Sequence, residues 1–327
     1  MTCICVDAMG GDCEPEVIFS GIVSALEKDS DLEVLVAGNE DVVVPFCNKY
    51  ERAKPLITTQ VIEMDEHPAQ AIREKRDSSI VQGCMAVKRG DASAFFSAGS
   101  TGAIFSAATL KIGRIQGIKR PCLATYLPGL SGHETIFMDL GANADCRPEM
   151  LVQFAKMGRA FCSTMLGTKN PSVALLSNGE EKTKGNELTL AAHELLEKED
   201  QLNFVGNCEG VDLLLGQVDV VVSDGFTGNC SLKTLEGTAK FIVARIKLAA
   251  KHSLRAALGA FLLTPAIKSV ADDLSGDVHG GAYLLGVKAP VLIGHGSTSK
   301  LAVQNAILVA ADAVRDDLVA KIEKESA

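Results

Sequence analysis

The chain has little of what would hold a nucleic acid or span a bilayer. It carries 32 Lys and Arg against 41 Asp and Glu, a net charge of −9. Phosphate backbones are held by clustered cations, so nucleic acid is excluded as a partner. No apolar run approaches the roughly 20 residues of a spanning helix. The first residues lack the basic start and apolar stretch of a signal peptide and read as a strand and turn. The ten cysteines form no C-x-x-C pair, and Cys3 and Cys5 would share one buried strand face. A reduced, cytoplasmic setting without disulfides or a metal fits that scatter. Missing too are the P-loop, the G-x-G-x-x-G fingerprint after a strand, the G-x-S-x-G elbow and the H-E-x-x-H helix. Nucleotide phosphate chemistry, a serine nucleophile of that class and a zinc hydrolase are therefore unsupported.

What is present is alternation. Short apolar runs at 3–7, 32–37, 56–61, 92–97, 122–126, 135–139, 172–176, 203–205, 218–223 and 290–294 read as strands. Between them, 15–27, 78–88, 101–112, 148–166, 184–198, 226–251 and 299–321 read as helices. No repeat or low-complexity linker divides the chain, so 1–327 is expected to be one unit. This pattern predicts a largely parallel sheet with helices on both faces. Ligands of such sheets bind beyond the carboxyl ends of strands.

Five of those strand ends share a composition. They are Asp7-Ala8-Met9-Gly10-Gly11-Asp12, Ser97-Ala98-Gly99-Ser100-Thr101-Gly102, Asp139-Leu140-Gly141-Ala142-Asn143, Ser177 to Asn186, and Asp224-Gly225-Phe226-Thr227-Gly228-Asn229. Glycines let backbone N–H groups approach an anion, and a helix start behind them adds a favourable dipole. Any one such loop could serve only to turn the chain and cap a helix. Five together predict a polar cleft. Lys184 stands near a helix start, where a cation is mildly unfavourable. An anionic ligand would offset that, and so would Glu180, Glu181 and Glu187. Asn229 enters a long helix, as a turn residue or as an amide facing the cleft. Among the histidines, His295 follows a strand and His67 precedes Pro68, where either ring could face the cleft.

These blocks, with Glu63-Met64-Asp65-Glu66, Lys184-Gly185-Asn186-Glu187-Leu188 and Leu235-Glu236-Gly237-Thr238-Ala239-Lys240, resemble the signatures of the bacterial acyl-carrier-protein:phosphate acyltransferases, in order and over nearly the whole chain. The resemblance implies a three-layer α/β/α fold shared with the isocitrate and isopropylmalate dehydrogenases and with phosphotransacetylase. That fold has a mixed sheet, two intertwined subdomains and usually a dimer. It implies transfer of a fatty acyl group from acyl carrier protein to inorganic phosphate without a cofactor. The acyl phosphate would feed a membrane glycerol-3-phosphate acyltransferase in phospholipid synthesis. One block departs: where relatives show Leu-Leu-Asn-Ile-Gly, this chain has Leu175-Leu176-Ser177-Asn178-Gly179. Either Ser177 replaces the Asn or Asn178 turns inward. Cys13 stands where relatives often have histidine.

On this reading Lys184 and Asn229 are the catalytic pair. Asp7, Gly10, Gly11, Ser97, Gly99, Ser100, Thr101, Gly102, Asn143, Asp224, Gly228 and His295 are expected to bind phosphate or the thioester. Asp7, Asp139 and Asp224, acceptors only when ionised, would orient donors. A dehydrogenase of the same fold would need an arginine cluster and paired helix aspartates, which the sequence does not present. A scaffold that has lost activity is what the altered 177–178 loop would permit. The stretch 237–271 is basic, with Lys240, Arg245, Lys247, Lys251, Arg255 and Lys268 and no acid. Leu254, Ala257, Leu258, Phe261 and Leu262 fall at helical spacing. A break near His252 or Ser253 is expected, giving two short helices before Pro265. That hairpin would pack into the core or a dimer partner, or else touch an anionic membrane surface or the acidic carrier protein through Lys247, Lys251, Leu254, Leu258, Phe261 and Leu262. A peripheral membrane association of a cytoplasmic protein follows from the membrane alternative.

Overall fold

The first strand, β1 (Thr2–Asp7), is apolar on both faces and must be covered on both. Ile4 and Val6 enter one core cluster and Cys5, with Cys3 at its edge, the other. This period-two division repeats across the sheet and makes the three layers. The computed structural model describes residues 1–274 and 277–326, with the side chains of 254, 268, 269, 271–274 and 277 outside that description.

The chain runs α1 (Pro15–Lys28), β2 (Leu32–Gly38), α2 (Glu40–Cys47), β3 (Ala53–Ile57), α3 (Pro68–Glu74), α4 (Ser79–Arg89), β4 (Ala94–Ser97) and α5 (Thr101–Ala107), which continues as a π-helical turn at Ala108–Ile112. Then come β5 (Cys122–Leu127), β6 (Thr135–Met138), α6 (Pro148–Met165), β7 (Ser172–Leu176), α7 (Glu187–Leu196), β8 (Asn203–Cys208) and β9 (Val220–Val222). A helical pair follows, α8 (Gly225–Ala250) and α9 (Leu254–Leu274), before β10 (Ala282–Leu285), β11 (Val291–Ile293), α10 (Lys300–Arg315) and α11 (Leu318–Ser326).

The strands form one 11-stranded mixed sheet in the order β3-β2-β1-β4-β11-β10-β5-β6-β9-β7-β8. β10 and β11, late in sequence, insert between the early strands β4 and β5, and α10 returns to pack on β1. That return makes the two halves intertwined. β10 is antiparallel to β11 and to β5, and β5 is antiparallel to β6. The strands β6, β9, β7 and β8 therefore run opposite to β1, β2, β3, β4 and β11, and their loops leave the other edge of the sheet.

Several expectations shift. The strand expected at 56–61 lies at Ala53–Ile57 and carries Pro55, tolerated because β3 is an edge strand. β10 was not apparent, because Gly280 and Gly281 before it read as a loop. The short helices α2 and α3 were also not apparent. The helix expected at 299–321 breaks at Asp317, whose φ of 54° leaves the helical region. α7 begins at Glu187 rather than at Lys184. Asn186 caps it, its side chain accepting from the Thr189 N–H, while the Thr189 hydroxyl accepts from the Asn186 N–H.

The hairpin breaks at 251–253, where expected. Its first helix is long, however, and its second runs through Pro265 to Leu274. Proline removes one helical hydrogen bond, and on this exposed helix water can take the freed carbonyl. Of the 26 residues of α8, only Gly225 and Gly228 are buried, so the pair projects from the body with α9 packed back on α8.

Candidate active site

The loop after β1 and the loop after β4 lock together. The Ser97 hydroxyl donates to Asp7 Oδ2 at 2.6 Å, the Met9 N–H donates to Asp7 Oδ1 at 2.9 Å, and the Gly99 N–H donates to Ser97 Oγ at 3.0 Å. Asp7 is fully buried. Burial pushes its carboxyl up, and these donors pull the other way. A Cβ on Gly10 would stand 2.5 Å from Asp7 Oδ2 and 2.8 Å from the Gly99 nitrogen, so any side chain would wedge the loops apart. The N–H of Gly99 is therefore engaged inside the protein, and Asp7, Ser97 and Gly10 hold the two loops together. The third loop of this edge follows β11 and is tied in by the Asp12 N–H, which donates to the Gly296 carbonyl at 2.8 Å.

A second knot lies at the opposite edge. Asp139 is fully buried. It accepts from the N–H groups of Leu123 at 2.9 Å and Asn143 at 2.8 Å, and from Asn143 Nδ2 at 2.9 Å. Burial raises its carboxyl too, against those same donors. Asn143 Nδ2 also donates to the Pro121 carbonyl at 2.8 Å, and the Asn143 carbonyl accepts from the Gly225 N–H at 2.8 Å. Asn143 is thus engaged structurally. Asp224 caps α8, accepting from the Thr227 N–H at 2.9 Å and the Thr227 hydroxyl at 2.7 Å. Gly228 lets α8 lie against β6, since a Cβ there would fall 2.0 Å from the Asp139 carbonyl oxygen. Gly102 likewise makes room for Pro68.

Between the knots, over the central strands β5 and β10, lies a cavity of about 320 Å³. It takes Gly99, Thr101 and His295 from one edge and Asn229 from the other, with Leu123, Thr125 and Leu127 from alternate positions of β5. Asn229 is exposed. Among the described residues its amide has no hydrogen bond, and its side chain stands over Gly141, whose missing Cβ would lie 3.4 Å from Asn229 Cγ. His295 is exposed as well, and its Nδ1 accepts from the Ser297 N–H at 3.3 Å. The neutral ring then carries its proton on Nε2, a donor free for a ligand. Gly11 and Ser100 are not among the lining residues; Ser100 is buried at the start of α5.

Lys184 is not in the cavity wall. It is exposed on the loop after β7, which leaves the same sheet edge as the Asp224–Asn229 turn because β7 and β9 are parallel neighbours. In that loop Asn178 is exposed while Ser177 Oγ is buried toward Gly185. Ser177, not Asn178, turns inward. His67 precedes α3 and does not line the cavity. The apolar lining from β5, Leu140 and Leu232 was missed in the sequence, because β5 is buried at every position and its alternation does not show. Burial pushes the thiols of Cys3, Cys5, Cys13, Cys84 and Cys122 up, those of Cys47 and Cys162 to about 11, and those of Cys146 and Cys208 to about 12. Such thiols are poor nucleophiles at neutral pH.

The fold is one that phosphotransacetylases adopt. The chain is similar to a phosphotransacetylase from Streptococcus pyogenes, with a TM-score of 0.62 at 18% identity over 96% of this chain and 94% of that one. It is also similar to the EutD phosphotransacetylase from Staphylococcus aureus, with a TM-score of 0.60 at 17% identity, 96% and 94% being covered. At those identities the likeness shows the fold alone. In sequence, the family described as "Fatty acid synthesis protein" matches residues 2–321. A phosphate acyltransferase of Limosilactobacillus reuteri is 47% identical over 309 residues, 93% of this chain and 90% of that one. One of Bacillus pumilus is 44% identical over 322 residues, covering 98% and 97%. The chain belongs to this family of phosphate acyltransferases, and is an acyltransferase of fatty acid and phospholipid synthesis.

Proposed function

We propose that this enzyme moves a fatty acyl group from the thioester of acyl carrier protein to inorganic phosphate, releasing acyl phosphate. The observation that carries this reading is the cavity. It joins free polar donors, Asn229 and His295, to an apolar strip from β5 that suits an acyl chain. A phosphate oxygen attacks the thioester carbonyl, the carbon–sulfur bond breaks, and the carrier thiolate leaves with the bonding pair and takes up a proton. Phosphate is already nucleophilic at neutral pH, so no acyl-enzyme is needed, and the buried thiols suit that scheme. Holding both reactants together can supply up to about 7–11 kcal/mol. One donor to the developing oxyanion is worth about 2.7–4 kcal/mol. Asn229 and the Nε2–H of His295 are those donors. Lys184, on the neighbouring loop, supplies through its flexible stem the cation that neutralises phosphate.

The projecting α8–α9 pair extends the reading. Leu258, Phe261 and Leu262 are exposed by 61%, 75% and 68%, and Lys247 and Lys251, at the end of α8, are exposed as well. The side chain of Leu254 lies outside the described residues. An anionic membrane surface fits such a tip, with each lysine near it worth about 1 kcal/mol. Among the described residues no helix is long and apolar enough to cross a membrane. The test of the reaction is direct: palmitoyl-acyl carrier protein and phosphate should give acyl phosphate and free carrier, with no acyl adduct on the protein by mass spectrometry. Failure to form acyl phosphate, or an adduct that turns over, refutes the reading.

A further inference from the structure

The loop 177–186 has no regular structure, yet it is held at three points. At its start, the Ser177 N–H donates to the Cys208 carbonyl at 2.8 Å. At its end, Asn186 caps α7. In its middle, the Glu181 carbonyl oxygen accepts twice, from the backbone N–H of Lys184 at 2.9 Å and from Nδ2 of Asn207 at 3.0 Å. Asn207 lies on β8, opposite Leu175 of β7. With its amide nitrogen on that carbonyl, its Oδ1 faces Nδ1 of His193 at 2.8 Å. The tautomer follows: His193 donates from Nδ1. The ring is 4% exposed and stands edge-on to Phe204, with centroids 5.1 Å apart. Its Nε2 is buried and, among the described residues, without a hydrogen bond, 3.6 Å from Glu197 Oε1. Glu197 in turn pairs with Lys182 of the same loop. Both polar links from α7 thus end on the loop that bears Lys184, and neither His193 nor Asn207 lines the cleft.

We propose that Asn207 and His193 are positioning residues: they fix the Glu181 carbonyl, and with it the backbone of Lys184, and so set the enzyme's affinity for phosphate. This rests on Lys184 being the cation that meets phosphate. A lysine on a free loop would have to be ordered when phosphate binds; here the ordering is done beforehand by the fold. Asn207 is the discriminating position because its two ends serve different partners. Asn207→Asp keeps an oxygen toward His193 and replaces the donor toward Glu181 with a second acceptor.

The experiment uses the full-length enzyme, palmitoyl-acyl carrier protein and inorganic phosphate. Asn207→Asp should raise the phosphate KM roughly five- to tenfold, the loss of about one hydrogen bond. Turnover at saturating phosphate and the KM for the acyl donor should stay within about twofold. Amide exchange at 181–186, read by mass spectrometry, should accelerate in the same variant. His193→Phe should shift both readouts the same way, and His193→Asn, which keeps an N–H donor near the place of Nδ1, should restore them. In a Lys184→Ala background, Asn207→Asp should add no further rise in phosphate KM. Unchanged loop exchange and unchanged phosphate KM would overturn the relay. So would an equal fall in turnover and melting temperature that His193→Asn does not rescue. Faster loop exchange, with a phosphate KM that neither Asn207→Asp nor Lys184→Ala moves, would instead overturn the role of Lys184 and the link to phosphate.

Discussion

Gly228→Ala should separate packing from chemistry in the wall of the cleft. The added methyl would fall 2.0 Å from the Asp139 carbonyl oxygen and 2.7 Å from Ser223 Oγ. A carbon and an oxygen prefer more than 3 Å, so the first turn of α8 must move by about 1 Å. The carbonyl it meets belongs to the backbone beside a carboxylate already locked by four donors, so β6 is the less able to yield. Overpacking of this kind costs about 3 kcal/mol, which lowers the melting temperature of a chain this size by roughly 4 °C. Asn229 is the next residue, and a displacement of about 1 Å at a positioned group can cost on the order of 100-fold in turnover. Gly237 in the same helix provides the control, because nothing lies within 4 Å of the Cβ it lacks. Gly237→Ala should stabilise by about 0.5–1 kcal/mol and leave turnover unchanged. Thermal melts and acyl phosphate formation by both variants suffice. A Gly228→Ala enzyme that melts and turns over as wild type does would refute the argument from the close approach.

Three other outcomes are expected. Lys184→Ala should lower turnover at least about tenfold with an unchanged melt, since an exposed lysine contributes little to stability; wild-type turnover at low phosphate would remove it from the site. Leu258→Glu with Phe261→Glu should abolish co-sedimentation with anionic vesicles while preserving activity in solution; if the double variant still binds, or wild type never does, the hairpin tip is not a membrane contact. Finally, the His279 hydrogen bond holds the Glu134 carboxyl below the usual glutamate range, against its partial burial. A lowered acid stabilises the fold fully above its unfolded value, near 4.3, and that contribution is lost as pH falls through the folded one. Wild type should therefore lose melting temperature more steeply than Glu134→Gln below about pH 4.5; parallel curves would show that the pair does not stabilise the fold.

Much of this protein is legible in the order of its residues. Alternating apolar runs and helical stretches determine a layered α/β chain, because strands buried on both faces need helices above and below. The Gly-, Asp- and Asn-rich turns mark the strand ends, and the break at 251–253 follows because, on one straight helix, the apolar face of Leu254, Leu258, Phe261 and Leu262 would overlie the stripe of Lys240, Lys247 and Lys251. Long-range pairing was not legible. Nothing local tells β10 and β11 to insert between β4 and β5, or tells β6, β9, β7 and β8 to run the other way. Those choices depend on contacts between residues far apart in sequence. They divide five similar loops into two knots and one cleft. They also decide which polar groups are left over. Asp7, Ser97, Asn143 and Asp224 share the composition of binding residues, but their hydrogen bonds are closed within the protein. Among the described residues, Asn229 and His295 keep donors that no neighbour takes. Composition sets which groups could bind phosphate; only the tertiary structure decides which remain free to do so, because hydrogen-bond capacity is limited and the fold uses it first.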